Sequence, residues 1–211
     1  MRIVIFGPQG AGKGTQSERI SEKYGIPSIS TGEIFRAAQT ARTALGLKVL
    51  EYVDSGKLVP NDLTIEVMRE RLSATDCSEG FLLDGFPRSL IQAEALDDIL
   101  ADGGCALDAA LVIEVPEEVS LRRLLGRRAC RECGRNYHLD APPMVDWTCD
   151  RCGGEVVERA DDHEETIRKR LDLYHSETEP LKEYYEARGI LRTVDGRGSP
   201  DEVFERISAS L

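Results

Sequence analysis

The sequence predicts an α/β protein: a parallel five-stranded sheet with helices on both faces, plus two inserted subdomains. Three observations lead there. Short apolar runs rich in β-branched residues alternate along the chain with longer amphipathic runs, the pattern of a sheet covered on both sides. The first apolar run, Ile3 to Phe6, passes directly into a glycine-rich loop and then into a helical pattern. Two stretches, 31–60 and 127–159, break the alternation and lack a core strand.

Taken in order, strands are expected at 2–6, 27–30, 81–84, 109–115 and 191–194. Helices are expected at 14–23, 63–72, 90–100, 117–125 and 164–186. The last of these should break at Pro180, which lacks an N–H and crowds the preceding turn. A final helix should follow Ser199, because Ser199-Pro200-Asp201-Glu202 joins an N-cap, a proline at the first helical position and a capping-box glutamate. The stretch 31–60 reads as short helices with a turn at 55–60, whereas 127–159 is rich in Cys, Gly, Pro and Arg.

Composition narrows the function. The chain has 211 residues, 41% hydrophobic and 31% charged, a globular balance rather than a disordered one. Its 38 acidic and 27 basic residues leave a net charge of −11, which disfavours nonspecific binding to nucleic acid or to anionic membranes. No apolar run approaches a signal peptide or a membrane span. Six cysteines without such a signal point to a reducing compartment, and the cytoplasm is the expected location.

Gly7-Pro8-Gln9-Gly10-Ala11-Gly12-Lys13 sits between a strand and a helix, the context its chemistry needs. Glycines let successive N–H groups turn inward around phosphate oxygens, the helix N-terminus adds a positive dipole end, and Lys13 reaches the β- and γ-phosphates. A plain strand-to-helix turn needs neither three glycines nor the lysine. The usual pattern places Ser or Thr directly after the lysine as a magnesium ligand; here Gly14 intervenes before Thr15.

Cys130-Arg131-Glu132-Cys133 and Cys149-Asp150-Arg151-Cys152 lie fifteen residues apart, which matches a four-cysteine zinc site. Four thiolates close the coordination shell, so such a metal is structural, and it supplies folding free energy to a segment with little apolar material. Two disulfides or free thiols are the alternative. Cys77 and Cys105 lack partners at ligand spacing and read as core residues. His138, His163 and His175 are scattered, adjoin no nucleophile motif, and read as structural or solvated.

Four motifs in order, joined by Asp161-Asp162 and Arg168-Lys169-Arg170, resemble the adenylate kinase family in its bacterial long-lid form. They are Gly-x-x-Gly-x-Gly-Lys-Gly-Thr at 7–15, Ser30-Thr31-Gly32-Glu33, Asp84-Gly85-Phe86-Pro87-Arg88 and Gly126-Arg127-Arg128. The resemblance spans nearly the whole chain. It implies a core at 1–29, 60–126 and 160–211, an AMP-binding insertion at 30–59, and a zinc-binding lid at 127–159. The implied activity is reversible magnesium-dependent transfer of the γ-phosphoryl group of ATP to AMP, giving two ADP, with the lid closing over the nucleotides.

On the ATP side the resemblance implies Gly10, Ala11, Gly12, Lys13, Gly14, Thr15, Arg123, Arg127, Asn136, Tyr137 and the backbone of Gly198. On the AMP side it implies Thr31, Arg36, Lys57, Leu58, Val59, Gly85, Phe86, Pro87, Arg88 and Gln92, with Arg159 and Arg170 between the nucleotides. Lys13, Arg88, Arg127, Arg159 and Arg170 would act in catalysis. Asp84, at the end of an apolar strand, would steady magnesium through water; a helix-capping Asp is the alternative. Asp161 and Asp162 read as hinge and lid anchors, or as a solvated helix start. A monomer is expected.

Phosphoryl transfer asks the protein to align donor and acceptor and to stabilise charge, a task suited to the bidentate, permanently charged guanidinium. A zinc-ribbon nucleic-acid module on a P-loop ATPase is the reading from another class, and the acidic chain opposes it. A uridylate/cytidylate-type kinase is the nearer alternative; the long lid and Thr31 favour adenine.

Overall fold

The computed structural model describes residues 1–40, 42–53, 59–159 and 162–211; Lys57, Leu58 and Asp161 therefore lie outside the described residues. In chain order the elements begin with β1 (Arg2–Phe6), α1 (Lys13–Tyr24), β2 (Ser28–Ser30), α2 (Thr31–Thr40), α3 (Ala44–Val53) and α4 (Asn61–Leu72). Next come β3 (Phe81–Asp84), α5 (Leu90–Asp102), β4 (Ala109–Glu114) and α6 (Glu117–Leu125). The strands β5 (Arg127–Cys130), β6 (Asn136–His138) and β7 (Val156–Val157) precede α7 (Glu164–Leu173), α8 (Leu181–Glu186), β8 (Leu191–Asp195) and α9 (Pro200–Ser210).

Five strands form one parallel sheet in the order β2-β3-β1-β4-β8. Because a sheet covered on both faces exposes neither side of its central strands, these read as continuous apolar runs whose alternate residues enter two different cores. Val4, Phe6, Leu83, Ala110 and Val112 pack on one face against Met68 of α4, Leu96 of α5 and Tyr185 of α8. Ile3, Ile5, Leu82, Leu111 and Ile113 pack on the other against Ile20 of α1 and Val203 and Ile207 of α9. Cys77 is buried in the first core and Cys105 packs against it. Among the described residues no helix is long and apolar enough to cross a membrane.

All five strands point the same way, so their C-terminal ends share one edge. The chain fills one side of β1 with β3 and β2 and the other with β4 and β8, and such a topological switch leaves a crevice beyond the strand ends. Register places Asp84 beside Ile5 and Ser30 there.

Two segments carry detail beyond the sequence expectation. Residues 127–159 add no strand to the core sheet, as expected, but form a separate antiparallel sheet in the order β6-β5-β7. At two to four residues each, these strands are too short to show a period of two. The long C-terminal helix opens at Tyr174, six residues ahead of Pro180, into a π-turn over Tyr174–Thr178, where the Glu179 N–H donates to the Tyr174 carbonyl at 2.8 Å. Pro180 has no N–H for the Ser176 carbonyl and its ring crowds that carbonyl, so the preceding turn widens.

The cap of α9 is as its sequence requires. The Ser199 hydroxyl accepts from the Glu202 N–H at 3.3 Å while the Glu202 carboxylate accepts from the Ser199 N–H at 2.7 Å. Replacing Ser199 by Ala should cost about 1 kcal/mol of stability, the usual loss of an N-cap. Urea denaturation of the two proteins measures it, and an unchanged midpoint at equal slope would refute the assignment.

Candidate active site

The loop between β1 and α1 wraps the edge of the sheet. Gly10 has φ of +78°, and a Cβ there would sit 2.7 Å from the Ser120 carbonyl oxygen, so close approach and backbone conformation both exclude a side chain. Lys13 Nζ donates to the carbonyls of Gly7 at 2.8 Å and Pro8 at 2.9 Å, which bends its side chain back over the loop. Gly14 and Thr15 form the exposed first turn of α1. From α6, Arg123 donates to the carbonyls of Gly10 and Ala11 at 3.3 Å and of Gly196 at 3.0 Å, tying the loop to the β8–α9 connection. Gly198 has φ of +101°, and a Cβ there would lie 2.5 Å from Glu202 Oε2, so this position presents only backbone.

Facing this loop is a second cluster. The Thr31 hydroxyl, at the start of α2, donates to the Gly85 carbonyl at 2.9 Å, and Arg88 Nε donates to the same oxygen at 2.8 Å. Phe86 is buried in the main core, which anchors the Gly85–Arg88 turn. Gln92, on the first turn of α5, accepts the Arg88 N–H at 2.7 Å through Oε1 and donates through Nε2 to Asn61 Oδ1 at 2.8 Å. Val59 is buried with Phe35 and Val49 under the α2–α3 segment. Arg36 lies in reach of Asp84.

Between the two clusters charge is concentrated. Lys13 feels Asp84 as an attractive neighbour and Arg88, Arg127 and Arg170 as repulsive ones. Burial, followed by those three cations, outweighs the attraction of Asp84 and lowers the Lys13 ammonium to about 8. Burial pushes the Asp84 carboxyl upward, opposed by Lys13, Arg88 and Arg36. Burial also works against the charged form of Arg88, and Asp84 counters it. Water-poor surroundings strengthen every charge interaction, so the cluster is poised to take up anions.

The 127–159 segment enters and leaves beside this cleft. Arg127 holds Asp162 in a two-pronged ion pair at 2.7 and 2.5 Å, and the Asp162 side chain is only 1% exposed. Asp162 therefore clamps the segment's two roots. Arg159 takes part through its carbonyl, which accepts the Asp162 N–H at 3.1 Å. Asn136 lies over the phosphate loop: a Cβ at Gly14 would be 3.9 Å from Asn136 Nδ2 and equally far from Asp84 Oδ2. The Tyr137 hydroxyl donates to Cys149 Sγ at 3.4 Å and accepts the Asp150 N–H at 2.9 Å, while the Arg135 guanidinium lies over its ring at 5.6 Å.

The four cysteines converge. Their sulfurs all lie within 4.8 Å of one another, with Cys130 to Cys152 at 3.5 Å and Cys133 to Cys149 at 3.6 Å. Both knuckles share one backbone pattern: Cys130 N–H donates to Arg135 and Cys149 N–H to Gly154, while Gly134 and Gly153 donate back to the cysteine carbonyls. A tetrahedral zinc with Zn–S near 2.3 Å needs sulfurs about 3.8 Å apart, so the set fits such an ion. The Tyr137 hydroxyl, with the N–H groups of Arg151 and Cys152, lowers the Cys149 thiol to about 6, favouring the thiolate that binds metal.

Histidines stand outside this chemistry. His163 occupies the N-cap position of α7 without a side-chain capping bond, His175 bonds Glu179 at 2.8 Å and His138 accepts the Asp140 N–H at 3.1 Å. Sequence reasoning missed Asn61, whose side chain orients Gln92; its only advance signal is its place at the first turn of α4, next to Pro60. It also missed the pairing of Asp162 with Arg127, legible only as an acid beyond the lid.

With this geometry in view, the chain can be compared with known proteins. The family model described as adenylate kinase matches residues 5–190. An adenylate kinase of Carboxydothermus hydrogenoformans is 53% identical over 212 aligned residues, covering 100% of this chain and 99% of the relative. Adenylate kinases of Thermodesulfovibrio yellowstonii and Archaeoglobus fulgidus are 52% and 51% identical, again over 100% of this chain and 98–99% of theirs. A cleft of phosphate loop, opposed arginines and a cysteine-built lid, with such similarity along its whole length, places this chain in the adenylate kinase family.

Proposed function

We propose that the chain transfers the γ-phosphoryl group of magnesium-bound ATP to AMP, reversibly, giving two ADP. The observation that carries this reading is the gathering of Asp84, Arg88, Arg127 and Arg170 around Lys13, between two separate clusters of polar groups. One cluster offers phosphate-loop N–H groups and Lys13 to a triphosphate. The other offers Thr31, Arg36, Val59, Gly85, Arg88 and Gln92, joined in sequence by Lys57 and Leu58, to a monophosphate.

In this mechanism the protein aligns and neutralises rather than reacts covalently. Lys13 leaves its loop carbonyls for the β- and γ-oxygens. Arg88 holds the acceptor phosphate, with its Nε fixed on Gly85. Arg127, Arg159 and Arg170 stabilise the migrating group, and Arg127 exchanges Asp162 for phosphate as the lid closes and excludes water. Asn136 and the Tyr137 ring cover the donor, and Gly198 meets its base through backbone. Magnesium bound with ATP neutralises the phosphate oxygens; Asp84 would hold it through water. Zinc on Cys130, Cys133, Cys149 and Cys152 would supply only lid stability, since four thiolates leave no open position. Thiol-only knuckles suit a cytoplasmic enzyme, and the two clusters are complete within one chain, as a monomer requires.

A coupled assay with magnesium, ATP and a panel of monophosphates tests the reading: AMP should be preferred, and comparable turnover with UMP or CMP would overturn it. The Lys13 ammonium is the working form, and in the free chain it loses its proton as pH rises through about 8. Thus kcat/KM for ATP should decline above about pH 8, whereas kcat at saturation should stay level further up, since bound phosphate holds the proton. A kcat/KM profile flat to pH 9.5 would count against Lys13. For the lid, metal analysis of reduced protein should find one thiolate-bound zinc per chain. Cys130→Ser should lower Tm by roughly 10 °C, at about 3 °C per kcal/mol for this size, while turnover at 25 °C falls far less. Equal losses of both would place the metal in catalysis.

A further inference from the structure

We infer that Thr178 is a positioning residue for the acceptor side, holding the backbone of Arg88 from the π-turn. The inference rests on the function proposed above. From Ile167 to Tyr185 the C-terminal helical run buries Ile167, Leu171, Tyr174, Thr178, Leu181 and Tyr185, a stripe one helical face wide. Thr178 is the one aliphatic-sized member that carries a hydroxyl. It is 7% exposed, and its hydroxyl donates to the Arg88 carbonyl at 2.8 Å across ninety residues of sequence. A buried hydroxyl without a partner is costly, and a valine would fill the same volume without that risk.

The bond matters because of where Arg88 sits. It precedes the Ser89 N-cap of α5, outside any strand or helix, so its peptide groups are satisfied by side chains instead of a ladder. Gln92 Oε1 takes its N–H and Thr178 Oγ1 its C=O, while Gly85 O takes its Nε. Gln92 is itself fixed by Asn61, on the side of the AMP insertion. Thr178 is the contact that comes from the opposite side, from the helix whose first part carries Arg170. The π-turn is what delivers it: the extra residue in the turn before Pro180 carries the buried stripe unbroken across the helix break, with Glu177 exposed and Thr178 facing in. Without the hydroxyl, the part-buried Arg88 carbonyl is left without this partner, and Arg88 loses one of three anchors, two on its backbone and one on its side chain.

The test uses the whole chain with Thr178→Val, Thr178→Ser and, as a control on the same turn, Ser176→Ala, whose side chain is exposed. Steady-state kinetics are measured separately for AMP and for ATP with magnesium, alongside Tm. Loss of one buried neutral hydrogen bond corresponds to about a tenfold effect. Thr178→Val should therefore lower kcat/KM for AMP roughly tenfold and leave KM for ATP within about twofold, the serine should restore it, and Ser176→Ala should match the unaltered chain. A valine variant that equals the unaltered chain overturns the inference. So does one that loses activity toward both nucleotides in proportion to a fall in Tm, since that is a packing role. Absence of AMP-dependent turnover in the unaltered chain would overturn the proposed function itself, a result distinct from both.

Discussion

Holding several cations close together in a dry cleft is the constraint on which the rest of the structure depends. Like charges repel more strongly as water is removed, and desolvation alone disfavours each of them. The lowered Lys13 ammonium is the direct expression of that cost, with the neighbouring Asp84 carboxylate offsetting it in part. Such a cluster persists only if its supports cannot relax. Accordingly Lys13, Asp84 and Arg88 sit at the edge of a sheet whose central strands are buried on both faces, while Arg170 stands on α7, which packs on α6 through Ile167, Leu171 and Leu124. A chain of net charge −11 with this local reversal also draws anionic ligands toward one place rather than over its surface.

The second requirement is a cover that closes without a core of its own. The 127–159 segment buries little apolar material, chiefly Val156 and the side chains around the cysteines. Its order comes from the two matched knuckles and from the short three-stranded sheet. At its roots, Arg127 satisfies its charge on buried Asp162. An ion pair of this kind is a poor source of stability but a good switch, because removing one partner leaves the other buried and unpaired until a new anion replaces it. The carboxylate thus stands where a phosphate can compete for the same guanidinium.

Most of the core was legible in the sequence because parallel strands buried on both faces read as unbroken apolar runs, and because the Ser199-Pro200-Asp201-Glu202 cap marks the start of the last helix. The phosphate loop was legible because its glycines and lysine have no cheaper explanation. What stayed hidden depends on contacts far apart in sequence. Asn61 and Gln92 are 31 residues apart, and neither announces the other. The lid strands are too short for a period to register. The bond from the Tyr137 hydroxyl to Cys149 is set by the fold of the knuckle and not by local pattern. Pro180 was visible as a breaker, but the turn widened upstream of it, since the strain of a missing donor falls on the carbonyl four residues earlier.

That widened turn joins the two halves of the problem. A single helical run begins beside Asp162, which holds Arg127 at the root of the 127–159 segment, passes Arg170 near Lys13, and reaches Thr178 at the Arg88 carbonyl. It then continues as α8, where Lys182 pairs with Glu114 at the end of β4 and Tyr185 packs in the main core. A rigid element anchored in the core at one end and gripping the lid root at the other gives donor and acceptor sides a common frame. In-line transfer is sensitive to errors of about 1 Å, so a frame shared by both sides is worth more than tight binding on either alone. A helix broken cleanly at Pro180 would have ended that frame short of the core; a π-turn keeps the buried stripe continuous through the break.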